Sequence, residues 1–144
     1  MQETITNKVI KQGPSISLSG DLNNCTVLAL AATSNISYDL AFEIAQIKWK
    51  RQFKKGIRTS VLSNYFANLK AKKVNTKKVY HIKRNNKDVI CKMTVGTFAK
   101  EYPSGNYYVL VNTHALAIND GEILDHSNLL PKTKRLVQHA WKIK

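Results

Sequence analysis

Apolar positions along the chain come in short runs whose period changes from place to place. The first twenty residues are polar, broken by Gly13-Pro14 and Gly20, and read as a leading arm with a short strand. Residues 25–33 are apolar nearly all round, the pattern of a short helix buried on most sides. Ser37 stands as an N-cap ahead of Leu40, Ile44, Ile47 and Trp49, which recur at helical spacing and stop before Gly56. Thr59 or Ser60 caps a third helix carrying Val61, Leu62, Tyr65, Phe66 and Leu69. Residues 78–83 alternate through Val79, Tyr80 and Ile82 as a strand does. Thr94 caps a short helix over Phe98 and Tyr102, closed by Pro103 and Gly105.

The C-terminal third is more explicit. Residues 106–111 are β-rich and apolar on both faces, which predicts a central strand. Residues 114–119 and 122–127 flank Asp120-Gly121, a dipeptide suited to a two-residue type I′ hairpin turn. Residues 136–143 add a last strand. Helices followed by an antiparallel sheet predict an α+β class in one domain spanning residues 1–144.

The hairpin register has a chemical consequence. With Asp120-Gly121 as the loop, Asn119 faces Glu122, and His114, Leu116, Ile118, Ile123, Asp125 and Ser127 share one face. The opposite face takes Ala115, Ala117, Leu124 and His126. His114 and Asp125 become diagonal neighbours within reach of a hydrogen bond. A carboxylate on an otherwise apolar face needs a partner, because an unpaired buried charge costs several kcal/mol. Taken alone, the pair reads equally as a satisfied polar contact at a sheet rim.

Cys25 gives that pair a possible role. It opens the apolar helix, where free N–H groups and partial positive charge favour a thiolate, and a neighbouring imidazolium favours it further. In the ordinary case such a cysteine is an inert core residue. Cys91, set among Ile90, Met93 and lysines, has no such setting and reads as incidental.

Charge enters as a separate matter. The 144 residues carry a formal +14 and are 43% hydrophobic, too apolar for a disordered tail. Residues 48–92 hold 15 of the 23 basic residues and one acid, Asp88, so that segment alone nets +14 and the remainder is neutral. The block reads as attraction to nucleic acid or an acidic partner, with Lys54, Lys55, Arg58, Lys72, Lys73, Lys77, Lys78, Lys83 and Arg84 as polyanion-binding candidates, or else as a solvated face. No apolar run approaches the roughly 18 residues of a membrane span. The residues after Met1 lack a basic n-region and an apolar h-region, so neither membrane insertion nor secretion is expected. Two cysteines without an export signal argue against a structural disulfide, and the lack of a CxxC pair argues against a zinc finger. No metal or other cofactor is expected.

Three segments carry a resemblance: Asn23-Asn24-Cys25-Thr26-Val27-Leu28-Ala29-Leu30-Ala31, then Ile36-Ser37-Tyr38-Asp39-Leu40-Ala41, then residues 105–125 with His114 and Asp125. Together they resemble the papain-like cysteine peptidase superfamily, and within it small phage-encoded proteins and peptidases that cleave bacteriocin leaders. The resemblance implies N-terminal helices packed on a C-terminal antiparallel sheet. It implies Cys25 as nucleophile, His114 as general base and acid, and Asp125 as the residue orienting the imidazole. The superfamily carries a glutamine ahead of the nucleophile where this chain has Ser19, which leaves Ser19, Asn23 and Asn24 as oxyanion candidates. The substrate is then a peptide or isopeptide bond, and the location a host cytoplasm or a virion. The competing expectation is a non-catalytic phage or virion accessory protein on the same scaffold, which binds nucleic acid or an acidic virion or host protein through its basic face.

Overall fold

The computed structural model describes residues 4–13, 23–52, 55–112, 114–125 and 134–143. The chain runs α1 (Ile5–Lys11), α2 (Cys25–Ser34), α3 (Tyr38–Lys48) and α4 (Thr59–Asn68), then β1 (Lys72–Lys73), β2 (Lys77–Ile82) and β3 (Lys87–Lys92). It continues through α5 (Val95–Glu101), β4 (Asn106–Val111), β5 (His114–Asn119), β6 (Glu122–Leu124) and β7 (His139–Lys142). The class is mixed α+β. No helix among the described residues is long and apolar enough to cross a membrane.

An antiparallel sheet in the order β1-β7-β4-β5-β6 divides the interior. Its two faces are read from alternating residues. Tyr108, Leu110, Ala115, Ala117, Leu124 and Trp141 pack with α1–α4, while Tyr107, Val109, Val111, Leu116, Ile118 and Ala140 pack with α5. Burial on both sides explains the unbroken apolar run of β4, which lies between β7 and β5 as a central strand. The Asp120-Gly121 turn has positive φ at both positions, 48° and 80°, and sets the register Asn119↔Glu122, Ile118↔Ile123, Ala117↔Leu124. β6 ends at Leu124, three residues short of the expected strand end. His126 and Ser127 lie outside the described residues.

α2 has no polar face: Thr26 through Thr33 are all buried. Its C-terminal carbonyls are satisfied from outside the helix, by Asn35 in the left-handed conformation and by three side-chain amides. Gln12 Nε2 donates to Ala31 O at 2.8 Å, Asn119 Nδ2 to Ala32 O at 3.0 Å and Asn106 Nδ2 to Thr33 O at 3.0 Å. Nearer its start, the Tyr108 hydroxyl donates to Thr26 O at 2.9 Å. Helix α3 is capped as expected, with Ser37 Oγ accepting from Leu40 N.

Several expectations need correction. The arm with a short strand is instead α1, capped by Thr4 and burying Ile5 and Val9, one helical turn apart, against α2. The N-cap of α4 is Arg58, which makes no side-chain cap bond, and Thr59 is the first helical residue. β1 and β3 were unforeseen. β1 is a two-lysine edge strand on β7, and β3 pairs with β2 in a ribbon separate from the main sheet. The helices therefore do not simply precede the sheet, since α5 and the ribbon fall between its strands.

Phe66 sits at the centre of the helix-side core, its ring 4.8 Å from Tyr108 and 4.8 Å from Trp141. Phe66→Ala is expected to cost about 3–5 kcal/mol in denaturant unfolding. Leu69→Ala, one turn on at a residue 58% exposed, is expected to stay within about 0.5 kcal/mol of the parent.

Candidate active site

Three elements converge at one end of the sheet. Cys25 is the first residue of α2, His114 the first of β5, and Asp125 follows β6 directly. The His114 Nε2–H donates to Asp125 Oδ1 at 2.5 Å, with side chains 13% and 6% exposed. Helix α1 helps hold the carboxylate's backbone, since Ile5 N donates to Asp125 O at 2.9 Å. The His114 ring is also hydrogen-bonded to the Cys25 thiol, and the Ala115 N–H points at Sγ from 3.5 Å. The imidazole thus lies between a thiol and a carboxylate.

The electrostatics follow from that placement. Burial works against the imidazolium, but the hydrogen bonds to Asp125 and then to Cys25 outweigh it and raise His114 from 6.5 to about 9. Burial also pushes the Cys25 thiol up. The hydrogen bonds with His114 and the Ala115 N–H, and then the imidazolium charge, overcome this and hold it below the ordinary thiol range. Both shifts favour thiolate facing imidazolium.

The thiol opens onto a cleft of about 370 Å³. It is lined by Gly56 and Ile57 of the loop before α4 with Thr59 and Leu62 of α4, by Leu110, Val111, His114 and Ala115 of the sheet, and by Asn23, Cys25 and Thr26. The loop wall was not identified from the sequence, because Gly56-Ile57 carries no catalytic residue type and only the fold brings it opposite Cys25.

The other predicted residues separate. Asn23 lines the cleft with a left-handed backbone, φ 51°. Asn24 is buried and turned away, its Nδ2 donating to the Tyr38 hydroxyl at 3.2 Å. Ser19 and Lys54 lie outside the described residues. Lys55 and Arg58 flank the cleft loop in sequence, Lys72 and Lys73 form β1, Lys77 and Lys78 begin β2, and Lys83 and Arg84 lie in the turn after it. Arg51 of the basic segment is structural: it is buried, its Nε donates to Lys55 O at 2.8 Å, and its guanidinium lies 5.8 Å from the Phe42 ring centroid. Cys91 is a free, exposed thiol on β3. Among the described residues no His, Cys, Asp and Glu cluster forms a metal site.

Comparison with known proteins finds no matching family model, no matching curated protein and no matching solved structure.

Because the folded pKa of His114 lies above the unfolded value of 6.5, its interactions contribute stability that is complete below about pH 6.5 and lost as pH rises through about 9. In an NMR titration the His114 ring protons are expected to have a midpoint near 9. Asp125→Asn removes the largest raising contribution and is expected to move that midpoint down by about one unit or more.

Proposed function

We propose that this chain is a papain-like cysteine peptidase, or a related acyl hydrolase, acting on peptide or isopeptide bonds. The observation carrying the proposal is the His114 imidazole between the Cys25 thiol and the Asp125 carboxylate, at the wall of an open cleft. Nucleophile, base and orienting group in that order are what acyl transfer through a thiolate needs.

In the proposed reaction the Cys25 thiolate attacks the carbonyl carbon. The carbonyl π pair moves to oxygen, giving a tetrahedral oxyanion. The Cys25 N–H, in the first turn of α2 where no intrahelical acceptor exists, and the Asn23 side chain are the proposed donors to that oxygen. The His114 imidazolium gives its proton to the leaving amine as the C–N bond breaks, leaving a thioester. Neutral His114 then takes a proton from water, whose oxygen attacks the thioester; the C–S bond breaks, releasing the acid and the Cys25 thiolate and restoring the thiolate–imidazolium pair. Asp125 holds Nε2–H throughout, so the other ring nitrogen faces the sulfur.

The internal comparison is with Cys91. Iodoacetamide at neutral pH is expected to label Cys25 at least about tenfold faster than Cys91, because the hydrogen bonds and charge of His114 lower the thiol and enrich its thiolate. Equal rates at the two cysteines, read by mass spectrometry, would overturn the proposal. Peptide turnover is expected to fall by about 100- to 10,000-fold in His114→Ala and to vanish in Cys25→Ala.

A further inference from the structure

β2 and β3 form a two-stranded ribbon with its own register, from Lys77↔Lys92 at the base to Ile82↔Lys87 at the tip. A two-stranded hairpin is marginal on its own, and among the described residues the bonds that anchor this one lie at its base. There Met93 N donates to Thr76 O at 2.7 Å and the Tyr102 hydroxyl to Asn75 O at 3.0 Å, while Lys78 pairs with Glu101 and Lys92 bonds Gln138. Beyond the base both faces are open. Val79 and Ile90, directly opposite each other, are 56% and 68% exposed, and Tyr80 and Ile82 are exposed on the other face.

The charge on the ribbon is one-sided. Its single acid, Asp88, is paired across the strands with His81 at 2.9 Å. The tip runs Lys83-Arg84-Asn85-Asn86-Lys87, and its three cations make no ion pair with a described residue. A narrow ribbon with cations along its strands and at its tip, and apolar side chains between them, matches a duplex groove. Cations reach phosphates on both sides, arginine and asparagine have donors for base edges, and Val79 and Ile90 suit thymine methyls.

We propose that the β2–β3 ribbon is a docking surface for duplex DNA and enters its major groove. The B-form major groove, roughly 12 Å wide, admits a two-stranded ribbon, whereas the A-form RNA groove is too narrow for side chains to read. A membrane-surface element would gather its apolar residues on one face, and here they occupy both. A second copy of the chain would bring like charges together.

The test is fluorescence anisotropy with a labelled DNA duplex over about 50 to 200 mM salt. Affinity is expected to fall steeply with salt. The triple variant Lys83→Glu, Arg84→Glu, Lys87→Glu is expected to bind at least tenfold more weakly, with a log–log salt slope shallower by about 2 to 3. A charge-matched control, Lys48→Glu, Lys100→Glu, Lys134→Glu, is expected to stay within a few-fold of the parent, which separates a ribbon site from diffuse attraction. The corresponding glutamine triple at the tip carries the same expected direction should the glutamate triple unfold. Unchanged affinity in the tip variants, or an equal loss in the control, overturns the site. Equal binding of an RNA duplex, of anionic vesicles or of polyglutamate overturns its assignment to DNA.

Discussion

A helix without a polar face must have its end groups satisfied by whatever it packs on, and the candidate site rests on that constraint. Asn106 and Asn119 are direct cross-strand partners on β4 and β5, and both donate to the last turn of α2. Tyr108, two residues along the same face of β4, donates near the helix's start. An unsatisfied buried carbonyl costs about 1–3 kcal/mol, so the three bonds fix the helix in position and direction. The lengths agree as well: ten helical residues rise roughly 15 Å, and six strand residues roughly 20 Å. With the C-terminal turn of α2 held at the Asn106–Asn119 end, its N-terminus falls at the Val111–His114 end. Cys25 meets His114 because two asparagines hold the opposite end of the helix.

The hairpin supplies the third group by an equally local rule. Asp120 and Gly121 both take left-handed backbone, the type I′ turn sets the pairing, and the pairing carries Asp125 back beside His114. The result is a charged triplet in a partly buried setting. There, burying the imidazolium alone would be unfavourable, and what raises His114 is its contact with two anionic partners. Each shift depends on the other, so neither the thiolate nor the imidazolium is a property of one residue.

What the sequence made legible was the structure governed by near neighbours. The Asp-Gly turn, the Ser37 and Thr94 caps and the all-apolar run of α2 are each determined within a few residues. The His114–Asp125 proximity follows from counting outward from a two-residue loop. What stayed hidden depends on distant partners. α1 is held by Ile5 and Val9 against α2, and two apolar positions are too few to mark a helix inside a polar arm. β3 is exposed on both faces and lacks the alternation that burial imposes. β1 is two lysines whose strand state comes from β7 alone. The asparagines that orient α2 look like ordinary strand-end residues until the helix lies across them. The cleft wall at Gly56-Ile57 is likewise defined only by what it faces.

The same local reasoning separates the chain's charge from its chemistry. A net +14 suggests that lysines tune the thiol, yet besides burial the groups acting on Cys25 are His114, Ala115 and Thr26. Lysines do act where they lie close: burial first, then Lys73 and Lys92, lower His139. Surface charges are screened over about 8 Å at physiological salt, so a basic ribbon contributes little to a thiol set by direct hydrogen bonds. The basic segment also contains different things. Arg51 is buried and holds the chain after α3, Lys78 and Lys92 brace the ribbon's base, and the tip cations are left facing solvent. Within the ribbon, the tip cations are the group whose charge is available to a partner. Changes at the ribbon tip should therefore leave the ionisation of Cys25 untouched, and changes at Asp125 should leave the ribbon's field untouched.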